Sequence, residues 1–320
     1  MHLIDAYSGS IRCSYRAYND VDAIEAAQCV AFTNDGQRVF AGFNRCIKIF
    51  HTGIPGRDCE ILRMGKTTRS RDGQKGIVSS IAFAEGSGSN SRVFSVGTYA
   101  GSIYLYDDRA PSGHPAGVVL SNCGLCVVGQ GKGFSRKRRY IDTCADAEEK
   151  GNDENIFSAA KVKWFQQAVR RGITQLLFSP DGKTLFSASR RSNAVVSWDV
   201  RMLSDQSESC VHGLASYERE GDTNQKLQFD LDENGVRLFV ACRDDCVKIY
   251  DVKSRKIVSS ISGLCDAANG VSYCEGQGML AVSVGARRFE EFDEKNNRKK
   301  LPGGAASHVP PGDLELYKVD

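Results

Sequence analysis

The sequence predicts an all-β fold, a β-propeller assembled from a repeated antiparallel sheet. Three observations carry that prediction. A strand-turn-strand string recurs along the chain, its turn is built around Asp-Gly or Asn-Gly, and an aromatic residue follows each turn glycine at a nearly constant distance of 14, 16 or 15 positions. Alternating apolar residues on both sides of such a turn mark short hairpin strands, and self-similarity at a fixed period marks solenoids and propellers.

The units follow in order. Leu3-Ile4-Asp5 reads as the end of a unit whose beginning is not in this stretch. The first full unit runs from Cys29-Val30-Ala31-Phe32 through Thr33-Asn34-Asp35-Gly36 to Ile47-Lys48-Ile49-Phe50. A weaker second copy joins Ile77-Val78-Ser79-Ser80-Ile81-Ala82-Phe83 to Ile103-Tyr104-Leu105-Tyr106-Asp107. In the third, Ile173-Thr174-Gln175-Leu176-Leu177-Phe178 meets Ser179-Pro180-Asp181-Gly182 and reaches Val195-Val196-Ser197-Trp198-Asp199. The fourth passes from Leu227-Gln228-Phe229-Asp230 through Asn234-Gly235 to Val247-Lys248-Ile249-Tyr250-Asp251, and a fifth opens with Gly270-Val271-Ser272-Tyr273 and Met279-Leu280-Ala281-Val282-Ser283. Trp198-Asp199 is the sole Trp-Asp pair, with Phe or Tyr at the equivalent positions elsewhere. The array therefore resembles a divergent WD-repeat propeller with four strands per blade. Five blades and part of a sixth are recognisable, so the ring is expected to be incomplete in this chain.

From Tyr106 to Trp198 there are 92 positions, against 56 and 52 between neighbouring blades. The excess exceeds ordinary loop lengths. It is assigned to a charged, irregular insertion at 111–167 within a propeller spanning 1–292, followed by a tail at 293–320. The insertion holds the basic string Lys132-Gly133-Phe134-Ser135-Arg136-Lys137-Arg138-Arg139-Tyr140, then Asp146, Glu148, Glu149, Asp153 and Glu154. Such a string suits a solvated loop, a nuclear-import signal or a contact with RNA. Lys161 to Arg171 places Trp164, Phe165, Ala168 and Val169 at helical spacing, which suits a helix packed on the propeller wall.

Over 320 residues, 41% hydrophobic and 25% charged content are those of a globular protein with a substantial core. No run of about 18 apolar residues exists, and Met1-His2-Leu3-Ile4-Asp5 lacks the regions of a signal peptide. An intracellular protein with no membrane partner and reduced cysteines is expected. Cys29, Cys46, Cys242, Cys246 and Cys274 fall in or beside predicted strands, where a thiol acts as a small hydrophobe. Cys123-Gly124-Leu125-Cys126 has metal or redox spacing but no second pair completes four ligands, and Cys210 with His212 is read as incidental. No cofactor and no metal are expected.

Catalysis requires an acid, base or nucleophile brought together, and His2, His51, His114, His212 and His308 are scattered without a companion motif. No phosphate loop, zinc-protease motif or nucleophile elbow occurs. Asp35, Asp181 and Asp199 are accounted for by turns and blade closure. The chain reads as a non-enzyme.

In a propeller, the turns joining the second and third strands of successive blades emerge on one face. Here they carry Phe43-Asn44-Arg45, Thr98-Tyr99, Arg190-Arg191-Ser192, Arg243-Asp244 and Arg287-Arg288. Arginine offers a rigid fork of donors to phosphate or a base edge, and aromatic rings stack on unpaired bases. Exposed turns also carry charge for solubility alone, and Asp244 and Asp245 weaken a positive field. A face for nucleic acid is favoured over one for protein.

Several strings go beyond the general repeat: Asp5-Ala6-Tyr7-Ser8-Gly9, Arg16-Ala17-Tyr18-Asn19, Gly42-Phe43-Asn44-Arg45 and Pro55-Gly56-Arg57-Asp58-Cys59-Glu60. Others are Thr223-Asn224-Gln225-Lys226 with Phe229-Asp230-Leu231-Asp232, Asn269-Gly270-Val271-Ser272, and Gly285-Ala286-Arg287-Arg288-Phe289. Together they resemble the middle blades of the telomerase Cajal body protein family, over most of 1–292 except the insertion. The resemblance implies a nuclear WD-repeat protein that recognises the short loop element of H/ACA small Cajal body RNAs, binds telomerase RNA, serves telomere maintenance and directs these ribonucleoproteins to Cajal bodies. Protein partners are implied as well. The family has further blades and a long amino-terminal segment, whereas this chain opens inside a strand, and the insertion is absent from the family pattern. The residues expected to bind RNA are Phe43, Arg45, Arg57, Tyr99, Arg190, Arg191, Arg243, Arg287 and Arg288, with Phe43 and Tyr99 stacking on bases. The alternative is a WD-repeat interaction scaffold without an RNA role.

Overall fold

A computed structural model describes residues 1–65, 73–84, 93–109, 116–120, 172–203, 213–285, 291–293, 298–300 and 313–319. Four of the five recurring strings fold as four-stranded antiparallel meanders, the blades of a WD-repeat propeller, and the fifth forms a three-stranded sheet among the described residues. The first blade is β3 (Cys29–Phe32), β4 (Arg38–Gly42), β5 (Cys46–His51) and β6 (Glu60–Arg63); β1 (His2–Ile4) and β2 (Ile11–Ser14) form a hairpin ahead of it. The second blade is β7 (Val78–Phe83), β8 (Val93–Thr98), β9 (Ile103–Asp107) and β10 (Gly117–Leu120). The third is β11 (Ile173–Phe178), β12 (Thr184–Ser189), β13 (Ala194–Asp199) and β14 (Gly213–Glu218), and the fourth is β15 (Phe229–Leu231), β16 (Arg237–Ala241), β17 (Cys246–Asp251) and β18 (Ile257–Ser262). In the fifth, β19 (Ala268–Cys274) and β20 (Met279–Val284) pair, while β21 (Glu291–Asp293) and β22 (Arg298–Lys300) form a separate hairpin. The third strand of the fifth sheet is β23 (Asp313–Lys318), paired along the whole of β20.

The turn chemistry explains the repeat. Ser179 Oγ donates to Asp181 Oδ1 at 2.5 Å and the Lys183 amide donates to the same carboxylate, while Gly182 takes φ +67. Thr33, Asp35 and Gly36 repeat this arrangement, Thr33 Oγ1 to Asp35 Oδ1 at 2.5 Å with φ +67 at the glycine. A side chain at that φ would be strained, which is why the string ends on glycine. Past the turn, the third strand of each of the first four blades drives its aromatic residue inward: Phe50, Tyr106, Trp198 and Tyr250 are all buried. Their polar tips are satisfied, Trp198 Nε1 by Ser187 Oγ at 2.8 Å and Tyr106 OH by Gln74 Oε1 at 3.1 Å.

The core is a row of apolar clusters between successive sheets. Tyr15 and Ala17, following the β1–β2 hairpin, pack with Ala41, Phe43 and Phe50. Phe40, Ile47 and Val78 join the first blade to the second, and Ile103, Ile173 and Trp198 join the second to the third. Phe186, Phe229 and Leu238 then bridge the third and fourth blades, and Phe239, Val247 and Leu280 the fourth and fifth. Among the described residues, no cluster joins the fifth sheet to the β1–β2 hairpin or to the first blade.

Two segments sit differently from their sequence assignments. Gly117–Leu120 lies in the stretch read as insertion, yet it is the outer strand of the second blade. Asp313–Lys318 lies in the stretch read as tail, yet it supplies the strand that β20 needs as a partner. Both lie at the edge of their sheets, where pairing with a neighbouring strand rather than local patterning defines them. The basic string at 132–140 and the stretch 161–171 lie outside the described residues.

Candidate nucleic-acid interface

A four-stranded meander sends two kinds of connection to the same end of the blade: the turn between its second and third strands, and the segment leading on to the next blade. In this chain the two kinds are hydrogen-bonded to one another. The Arg45 amide donates to Gly76 O at 3.1 Å and the Tyr99 amide to Ile77 O at 3.0 Å, so the segment entering the second blade is clamped between the first two turns. Arg190 N–H donates to Gly172 O at 2.8 Å, at the entry to the third blade. Arg191 N–H donates to Thr223 O at 3.1 Å and Arg243 N–H to Glu220 O at 2.8 Å, clamping the entry to the fourth. Backbone contacts thus stitch Arg45, Tyr99, Arg190, Arg191 and Arg243 into one rim.

Side chains continue the rim. Arg190 lies with its guanidinium 5.4 Å from the centre of the Tyr99 ring, a cation–π pair that crosses from the third blade to the second. Tyr99 keeps 39% of its surface exposed. Arg191 Nε donates to Asp222 Oδ1 at 2.8 Å, and an Arg243 terminal nitrogen donates to the Asp222 carbonyl at 3.1 Å. Arg190, Arg191 and Arg243 are exposed and Arg45 is half-buried. Arg45 and Arg191 also hold left-handed backbone, φ 60 and 53, at equivalent turn positions. Glycine suits that conformation better than arginine, so the side chain is kept at a cost in backbone energy.

Phe43 does not share this placement. Its ring is 1% exposed within the cluster of Tyr15 and Phe50, with Lys48 Nζ 4.3 Å from its centre. It offers no free face to a base, because the position before the turn points into the core. Arg57 belongs to the connection between β5 and β6, which leaves the end of β5 opposite Arg45. There it pairs with Asp22 at 3.1 Å and covers the Tyr18 ring at 4.8 Å. Arg287 and Arg288 lie outside the described residues.

The sequence reading missed the entry segments. They bring exposed Lys75 and Lys226 to the rim, and with them the carboxylates of Glu220 and Asp222. The signal was present, since in a meander these segments leave from the same end as the Arg-bearing turns.

Proteins named Telomerase Cajal body protein 1 from Bos taurus and Homo sapiens are each 30% identical to this chain over 321 residues, which is 97% of it. The Drosophila melanogaster homolog is 28% identical over 315 residues, 98% of the chain. This chain belongs to the telomerase Cajal body protein family. It spans about half the length of the curated relatives it matches, 47%, 46% and 46% of those three. No protein-family model matches it. Two of the strings that resemble the telomerase Cajal body protein family fall on the rim: Gly42-Phe43-Asn44-Arg45 forms the first turn, and Thr223-Asn224-Gln225-Lys226 lies in the entry to the fourth blade.

Proposed function

We propose that this protein binds the single-stranded loop of H/ACA small Cajal body RNAs along the rim that runs from Arg45 to Arg243. With telomerase ribonucleoprotein as a further client, it directs such particles to Cajal bodies in the nucleus. The observation that supports this most is the juxtaposition of Tyr99, Arg190, Arg191 and Arg243, drawn from three blades far apart in sequence, in a member of a family whose relatives are named for telomerase and the Cajal body. Exposed aromatic and guanidinium groups in a row suit a splayed single strand, where stacking and phosphate contacts alternate. Arg287 and Arg288 belong to the proposed set as the fifth turn, and Lys75 and Lys226 add charge along the path. The role is non-catalytic, since Asp35, Asp181 and Asp199 are committed to turn and Arg201 contacts.

The test is a binding titration with an H/ACA hairpin bearing its loop, against the same stem closed by a tetraloop. The triple variant R190A/R191A/R243A is expected to weaken loop binding at least tenfold. It should also flatten the slope of log affinity against log salt by about 2, at roughly 0.7 per lost cation on a single strand. An unchanged affinity and slope would remove the rim as the RNA site and favour the scaffold reading.

A further inference from the structure

The fourth blade's turn holds a cluster with a different chemistry. The Cys242 and Cys246 sulfurs and an Asp244 carboxylate oxygen all lie within 4.8 Å of one another. Cys242 N–H donates to Cys246 O at 3.1 Å, which closes the hairpin and sets the two thiols side by side. Asp245 takes left-handed backbone, φ 56, and this folds Asp244 back so that Cys246 Sγ donates to its Oδ1 at 3.2 Å. Both sulfurs are buried and the carboxylate residue is exposed.

We propose that Cys242, Asp244 and Cys246 are three ligands of a thiophilic divalent cation of the Zn²⁺ type, with a solvent molecule or an incoming group as the fourth. Two sulfurs each about 2.3 Å from a tetrahedral ion stand about 3.8 Å apart, inside the spacing found here. Asp244 faces solvent, which leaves the fourth position accessible.

The surroundings supply the balancing charge. Two thiolates and a carboxylate around a divalent ion leave one negative charge over. Arg219 is buried beside Cys242, and its guanidinium donates to two backbone carbonyls, Leu227 O at 3.1 Å and Ser192 O at 3.4 Å. Burial lowers its pKa to about 10, and a negative charge on Cys242 opposes that shift. Burial likewise raises the pKa of both thiols, and Cys242 and Asp244 raise that of Cys246 further. Ligation as thiolates requires each sulfur to give up its proton, so binding of the ion releases two protons.

Titration of the reduced, metal-free full chain with Co²⁺ tests this. One equivalent is expected to bind with a sulfur-to-cobalt charge-transfer band and tetrahedral visible absorption, both displaced by Zn²⁺. C246A should abolish the band and D244N should weaken binding about tenfold or more, whereas C274A should bind as the parent does. C246S provides a second probe, and thermal melts confirm that each variant is folded. A band that survives in both Cys246 variants overturns the proposal, as does its absence from the folded, reduced parent.

Discussion

The Arg190 guanidinium sits 5.4 Å from the centre of the Tyr99 ring, tying the turn of the third blade to that of the second. A base entering this site can stack on the open side of the pair without dismantling it. Y99A and R190A are each expected to weaken RNA binding about 5- to 150-fold, in line with ~1–3 kcal/mol for a lost stacking partner. The pair shares one interaction, so the double variant should lose less than the product of the single losses. Fluorescence anisotropy on the three proteins measures this, and strict additivity would mean that the ring and the cation act separately.

Arg191 presents stability and binding as opposing demands. Its φ of 53 costs an arginine about 1 kcal/mol relative to glycine, while its ion pair with Asp222 is exposed and adds little. R191G should therefore melt higher than the parent and bind RNA more weakly, whereas R191A should lose binding without gaining stability. Differential scanning fluorimetry and binding on the same preparations separate the cases. A fall in melting temperature for R191G would show that the side chain is a structural element.

The blades were legible because turn chemistry and aromatic position repeat: Ser179, Asp181, Gly182 and Trp198 each leave a local mark that the structure reproduces. The outer strands Gly117–Leu120 and Asp313–Lys318 were not, since their pairing is set by β9 and β20 rather than by their own pattern. On the rim, Arg190, Arg191 and Arg243 could be placed from topology alone. Phe43 was misjudged because a residue one position from a turn has two possible directions, and only packing against Tyr15 and Phe50 chooses. Asp222 escaped notice because it acts through a segment that has no strand pattern at all.

Gly172 marks where the rim is tightest. A Cβ there would stand 2.6 Å from Tyr99 O and 2.8 Å from Tyr99 Cα, both of them backbone atoms. G172A must push the second blade's turn aside, with an expected loss of about 1–3 kcal/mol and weaker RNA binding through a displaced Tyr99. G53A, whose Cβ meets nothing within 4 Å, is the control and should be near neutral. Urea melts and binding assays read both effects, and a G172A protein with parental affinity would detach Tyr99 from recognition.

Acid should unfold the blades through their turn carboxylates. Ser179 and the Lys183 amide hold the Asp181 pKa below its ordinary 3.8, and the Arg201 side chain does the same for Asp199. A carboxylate whose pKa is depressed by folding binds fewer protons in the native state than in the unfolded chain between the two values. Its stabilisation is therefore complete above about pH 5 and is lost as pH falls through 3.8 toward the native value. Asp230 has the opposite sign, because burial raises its pKa despite amide donation from Tyr273, so its ionisation opposes folding. The doubly substituted D181N/D199N protein should be less stable than the parent at pH 6 and should lose less on going to pH 3. Urea midpoints at the two pH values measure the difference, and equal acid sensitivity in both proteins would place the titrating groups elsewhere in the chain.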